Sequence, residues 1–254
     1  MGTSVENRTI FAISGGDRVK FLQGLVTNEV PTTPEQLVYA ALLTPQGKYL
    51  ADFFMLAKDR RILIDVASSF ADGLMARLSM YKLRADVEIE ATEFRVECGL
   101  HDAPKGALPD PRHSALGWRF YGGSGTVASD VDWDAIHVAH CIPSTGVELL
   151  ANDTFILEAG FERLNGVDFK KGCYVGQEVT ARMKHKTELK KGLAVVSISE
   201  PAPIGSEILN DGRLAGVLFT QSGNKAIAYL RYARAGSDML AGGAGVSFEK
   251  SKPC

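Results

Sequence analysis

Three residues within a dozen positions could do chemistry together: the thiol of Cys173, the ammonium of Lys171 and the guanidinium of Arg182. They lie in the run KKGCYVGQEVTARM, residues 170–183. Glycines at 172 and 176 permit backbone shapes closed to other residues. From Gln177 the pattern is helical: Val175, Val179 and Met183 recur at i, i+4, and Glu178 can pair with Arg182. Cys173 then sits just ahead of a helix N-terminus and beside Lys170 and Lys171. Positive dipole and positive side chains both favour thiolate, so an exposed Cys173 is expected to have a lowered pKa. The same residues also suit a buried cysteine that simply packs a tight turn.

Seven Lys and Arg fall between Lys170 and Lys191, opposed only by Glu178 and Glu188. The local balance is +5 in a chain of net charge −2. Such an island is either a solvated charged face or a site for an anionic ligand or partner. The chain as a whole carries no basic signal, so nucleic acid is not an expected partner. It has no apolar run of about 18 residues, so neither a membrane-spanning helix nor a membrane partner is expected. The start, MGTSVENRTIFAIS, lacks the pattern of a signal peptide, and a cytoplasmic location is the expectation. Cys98, Cys141, Cys173 and Cys254 form no CxxC pair, so free thiols are expected and no metal site held by this chain alone.

The elements that must position these groups can be read from periodicity. RTIFAIS (8–14) reads as a strand and a short helix follows from about Asp17. LVYAALL, YLADFFML and RILIDV, separated by turn residues, read as a β-meander. Residues 68–83 read as a helix capped by Ser68 or Ser69, with Leu74, Met75 and Leu78 on one face. ADVEIEA and FRVECGL are further strands. Residues 103–130 read as a connector or a loose loop region. Helices are expected over 132–142 and 154–164. After Lys190, short β runs with Gly-rich turns predict a small barrel. The expected division is a region 1–186 of two intertwined α+β subdomains and a β-barrel domain 187–254.

KGCYVGQE (171–178) closely matches the signature of the YgfZ-type folate-binding proteins, relatives of the T-protein (aminomethyltransferase) of the glycine cleavage system. ISGGDRVKFLQGLVTNEV, TPQGKYLADFFML, MYKLRADVEI, DGRLAGVLF and AIAYLR resemble further segments of the same family. The resemblance implies an α+β fold of two subdomains plus a C-terminal β-barrel around a central folate opening. It implies a tetrahydrofolate-type ligand, in some forms polyglutamylated. Glu158, in ILEAG, matches a glutamate that reads the pterin in the T-protein, and a carboxylate can accept two hydrogen bonds from a pterin edge. Lys171 and Gln177 fall in the signature and Arg182 lies four residues beyond it; the basic side chains suit an anionic folate tail. In YLADFF the family's aspartate pair is reduced to Asp52, with Ala51 in the other place. That departure argues against aminomethyl transfer and leaves Asp52 as a folate contact or a hairpin carboxylate.

The T-protein lacks a cysteine at position 173, which places the resemblance on the YgfZ branch. What that branch implies is assistance to iron–sulfur cluster assembly or repair, and through it support of tRNA-thiolating enzymes. The implied partners are folate and iron–sulfur proteins or assembly factors. Two other classes stay open: a folate-dependent one-carbon transferase, and a non-catalytic scaffold with a vestigial folate pocket. His137 and His140, three apart on an expected helix, read as core or surface residues. His185 could join an anion site. GGSG (122–125) reads as a flexible turn, and Trp118 and Trp133 read as core or rim residues able to stack on a ring.

Overall fold

The computed structural model describes residues 8–122, 131–185 and 188–249. Its first layer is an antiparallel sheet of β1 (Arg8–Ser14), β2 (Leu37–Leu43), β3 (Tyr49–Lys58), β4 (Arg61–Ala67) and β5 (Glu88–Ala91), in the order β2-β3-β4-β1-β5. The expected meander is β2-β3-β4. Both faces of this sheet are covered, which is why LVYAALL is apolar throughout rather than alternating. On one face lie α1 (Arg18–Gln23) and α2 (Ser68–Lys82), over a core of Phe11, Ile13, Leu42, Phe53, Met55, Leu74 and Leu78. On the other lie Tyr39, Tyr49, Phe54 and Leu56, packed against Phe161, Leu164 and the second half of the chain.

Side chains alternate along β3, so Ala51, Phe53 and Met55 face α2 while Asp52, Phe54 and Leu56 face the opposite way. Ala51 therefore cannot bear on chemistry at Asp52: its side chain is on the far face of the sheet. The helix over 68–82 forms as expected, but Ala67 is its N-cap and makes no side-chain cap bond. Ser68 Oγ is instead 2.8 Å from Thr9 Oγ1 on β1.

The segment expected to be a plain connector contains structure. Within it β7 (Leu108–Pro109) and β8 (Trp118–Tyr121), with a 3-10 turn at Ser114–Leu116, join β6 (Val96–Gly99), the strand expected from FRVECGL, in a three-stranded sheet. Residues 123–130, including most of GGSG, lie outside the described residues. α3 (Trp133–His140) starts where expected, its N-cap Asp132 accepting from Ala135 N–H. The expected helix over 154–164 does not form: the chain runs through successive turns there, with Gly160 at φ +79° and Asn165 at +54°. Buried Ile156, Leu157, Phe161 and Leu164 still gave a helix-like spacing.

After α4 (Gln177–His185) come β9 (Lys191–Ile198), β10 (Glu207–Asn210), β11 (Arg213–Ser222), β12 (Lys225–Arg231), β13 (Met239–Ala241) and β14 (Ala244–Ser247). They close a barrel in the order β10-β11-β12-β9-β14-β13, with Ile208 opposite Ala241 at the seam. Its interior is lined by small and branched residues: Ala194, Val196, Ala215, Leu218, Ala226 and Ala228. α3 packs on β11 and β12 and so joins the barrel to the rest. Among the described residues no helix is long and apolar enough to cross a membrane.

Candidate functional site

The turn at 171–176 is held by backbone packing. Gly47, at φ +74° in the β2–β3 turn, lies against Gly176, at φ +85°. A Cβ on Gly176 would stand 2.5 Å from the Thr44 carbonyl oxygen, and one on Gly47 would stand 2.8 Å from Val179. Gly172 has open space around it. Thr27 ties the neighbouring chain down: its hydroxyl donates to Gly166 O (2.7 Å) and accepts from Ala41 N–H (2.8 Å).

Cys173 is free and exposed, four residues ahead of the start of α4. Gln177 Oε1 accepts from Tyr174 N–H (2.9 Å) and its Nε2 faces Cys173 Sγ at 3.8 Å. Lys171 is turned into the fold. Its ammonium donates to Gln23 O (2.9 Å), at the C-terminal end of α1, and to Val26 O (2.5 Å), just beyond it. Burial pulls its pKa down to about 8. The geometry thus removes Lys171 from an anionic tail and from the thiol.

Pairing also thins the basic island. Lys184 is bonded to Glu162, and Lys191 stands 3.7 Å from Glu158. Lys170, Arg182, His185 and Lys190 remain exposed, while Lys186 lies outside the described residues.

Asp52 is buried on the other side of the hairpin, at 4% exposure. Its Oδ2 accepts from Tyr39 OH (2.9 Å), and its Oδ1 from Tyr49 OH and Thr145 Oγ1 (both 2.6 Å). Burial and the Asp52 charge push both tyrosines well above their usual range. Three hydroxyl donors thus fix the position of the Asp52 carboxylate.

Asp52 lines a cavity of about 90 Å³ whose wall also carries Arg8, Cys98, Asp110, Arg112 and Arg119, together with Trp133 and His137 from α3. Trp133 and His137 are one helical turn apart, so they share a face. Behind this wall sits Asp65. Arg8 Nε donates to its Oδ1 and Arg119 Nη2 to its Oδ2, both at 2.6 Å, and Tyr121 OH adds a third bond at 2.9 Å. Burial pushes the Asp65 carboxyl up, but Arg8 and Arg119 overcome it and hold its pKa near 2.

Asp110 accepts from Arg112 Nε and Nη2 at 3.0 and 2.8 Å. The three guanidinium groups surround the Phe54 ring, Arg119 at 4.0 Å, Arg112 at 4.9 Å and Arg8 at 5.6 Å from its centroid. Each gains a cation–π contact there. Cys98 is a buried thiol whose pKa burial raises, against the pull of Arg119. Burial, aided by Arg112, lowers His137 to about 4; its Nδ1 is 3.1 Å from Ser144 Oγ. His140 packs against His113, with ring centroids 4.2 Å apart and the planes tilted by 33°.

Glu158 is buried at the barrel junction. Tyr229 OH donates to its Oε2 at 2.6 Å, whereas among the described residues Oε1 has only the 3.7 Å contact to Lys191. Glu148, missed by sequence reading, links the barrel to the cavity loop: Oε1 accepts from Thr220 N–H and Oγ1, and Oε2 from Ser144 N–H. Of the expected site residues, then, Cys173, Gln177 and Arg182 share the turn and α4, and Lys171 faces inward from the same turn. Asp52 lines the cavity and Glu158 meets the barrel. Cys141 is disulfide-bonded rather than free, correcting the expectation of four free thiols.

The buried charges had one legible signal. Asp65 interrupts an otherwise apolar strand, RILIDVA, and a carboxylate in such a strand requires a buried partner. Nothing in the sequence said which arginine it would be.

Comparison with known proteins places this geometry. Residues 190–252 match the family described as CAF17, C-terminal beta-barrel domain. The chain is 31% identical over 226 residues to the iron-sulfur cluster assembly factor IBA57 homolog, mitochondrial, of Mycosarcoma maydis; the match covers 76% of this chain and 56% of that protein. It is 27% identical over 270 residues to the iron-sulfur cluster assembly factor IBA57, mitochondrial, of Homo sapiens, covering 89% and 76%. The chain thus spans about half the length of the fungal relative and three quarters of the human one. The fold is that of the glycine cleavage system aminomethyltransferase T from Bartonella henselae, with TM-score 0.72 and 14% identity over 94% of this chain and 81% of that one. α+β subdomains with a C-terminal barrel are common to both, as expected. The expected cytoplasmic location is overturned: both of these relatives are mitochondrial proteins.

Proposed function

We propose that this protein assists iron–sulfur cluster assembly through the thiol of Cys173, in the manner of YgfZ-type proteins. The observation that carries the reading is the free, exposed thiol on a turn whose shape is set by glycine packing. The names of the relatives supply the process. Iron–sulfur proteins or their assembly factors are the partners this thiol would meet, and support of cluster-dependent tRNA-thiolating enzymes would follow. The test is complementation of a strain lacking its own copy of the gene. Cys173→Ser should fail to restore the activity of a cluster-dependent enzyme while accumulating to the normal level. Full restoration would remove the thiol from the function.

A second reading, that the protein binds tetrahydrofolate, has one observation in its favour. Glu158 Oε1 is a carboxylate oxygen of a buried residue without a short hydrogen bond among the described residues, able to accept from a pterin edge. Arg182 is exposed and able to hold a folate tail; Lys171 and Gln177 are engaged elsewhere. Calorimetry with tetrahydrofolate and its polyglutamates tests this. Binding lost in Glu158→Gln supports it, and no heat with any form leaves the scaffold reading. One-carbon transfer would need Asp52 to reach the ligand, and both of its carboxylate oxygens already accept from hydroxyls.

A further inference from the structure

We propose that the cavity beside Asp52 binds a small carboxylic acid, held between the indole N–H of Trp133 and the guanidinium of Arg112. This goes beyond the cluster-assembly and folate readings and stands apart from both. The inference rests on hydrogen-bond accounting at the wall. The carboxylates are already engaged: both oxygens of Asp52 accept from hydroxyls and both oxygens of Asp110 from Arg112. Asp134 also lines the cavity and has a partner of its own.

Among the groups left over, His137 has its Nδ1 on Ser144 Oγ and its Nε2 without a hydrogen bond among the described residues, and two others are donors only. Trp133 is 9% exposed, and its Nε1 has no hydrogen-bond partner among the described residues. Buried donors of this kind are rare, because losing water without gaining an acceptor is costly. Arg112 gives Nε and Nη2 to Asp110, and no hydrogen bond engages its Nη1 among the described residues.

A ligand that satisfies both donors must offer two acceptor atoms, and the guanidinium favours a negative one. A carboxylate is the smallest common group that does so. The cavity volume of about 90 Å³ sets the size. It is several times what one water requires. It is well below the roughly 300 Å³ at which pockets for drug-sized ligands begin. The acid has only a few heavy atoms.

The full chain labelled with 15N at tryptophan gives two indole N–H signals. Trp118 Nε1 donates to His101 O (2.9 Å), so it serves as the internal reference. Formate and acetate should each move the Trp133 signal in a saturable way and leave Trp118 in place. Acetamide, the neutral isostere, should bind at least about tenfold more weakly, since charge-assisted bonds are roughly twice as strong as neutral ones. Trp133→Phe should lower acetate affinity by about tenfold or more in calorimetry. Should that variant fail to fold, the titration of the unaltered protein decides alone. A Trp133 signal that responds to the acids no more than to sodium chloride overturns the proposal. So does acetamide binding as tightly as acetate, or a response to tetrahydrofolate alone.

Discussion

The turn at 171–178 and the charged wall behind the cavity are built in opposite ways. The turn is one contiguous stretch. Its shape comes from the backbone contact of Gly176 with Thr44 and Gly47, and its thiol touches little. The wall is assembled from β1, β4, β8 and the segment around Asp110, and every charge in it leans on another. A reactive group can therefore be exchanged on the turn without disturbing the fold. On the wall, the groups that would meet a ligand also hold the elements together. The two regions should respond differently to the same kind of substitution.

The largest effect should come from the wall. Asp65→Ala would leave the Arg8 and Arg119 guanidinium groups buried without their carboxylate. Removing one member of a buried ionic cluster costs about 3–5 kcal/mol. Urea unfolding should show that loss as a drop in midpoint with an unchanged slope. A cost below about 1 kcal/mol would mean that the wall is as dispensable as the turn.

Acid should find the wall next. His137 titrates near 4 in the fold against an ordinary value of 6.5, chiefly because it is buried. The folded pKa is depressed, so the unfolded chain binds more protons between those values. Stability is full above pH 6.5 and falls as pH drops toward 4, by about 3 kcal/mol in all. Asp65 extends the decline: its pKa is near 2 in place of 3.8, so about 2 kcal/mol more is lost below pH 4. His137→Asn should flatten unfolding free energy between pH 6.5 and about 5, leaving the smaller share of His113, which burial and His140 pull the same way. An unchanged slope in the variant would place the acid sensitivity elsewhere.

These two regions also explain what could be read in advance. KGCYVGQE was legible because a short contiguous run carries the glycines, the cysteine and the helix start, all local properties. The meander and the barrel were legible for the same reason, as apolar runs between turn residues. The wall was not, because Arg8, Asp65, Asp110 and Arg119 meet only through tertiary packing, and a single sequence does not say which charges are neighbours. Lys171 shows the limit on the local side. Its place beside Cys173 in sequence suggested a shared site, yet its ammonium turns away to the carbonyls of Gln23 and Val26. The helix expected over 154–164 failed from the opposite cause. Its apolar spacing reflects burial against the sheet, and Gly160 and Asn165 take left-handed conformations that break a helix.

The two glycines of the turn sharpen the contrast within a few residues. Gly176→Ala forces a side chain into a left-handed conformation and onto the Thr44 carbonyl, at a cost of about 1–3 kcal/mol. Gly172→Ala meets nothing and should stay within about 0.5 kcal/mol of the parent. Thermal unfolding of the pair separates them, and equal losses would show that the packing against Gly47 does not shape the turn.

Cys173→Ser should have the smallest effect on the fold. The thiol is exposed, its nearest polar contact is the 3.8 Å approach of Gln177 Nε2, and a hydroxyl can accept from that amide as well as sulfur can. Unfolding free energy should move by less than about 0.5 kcal/mol, the range of surface substitutions away from special features. The same variant is expected to lose cluster-enzyme support in cells, so stability and activity part company at this one atom. A substitution that lowered both together would make Cys173 a packing residue, and the distinction between an exchangeable turn and an interlocked wall would fail at the position that defines it.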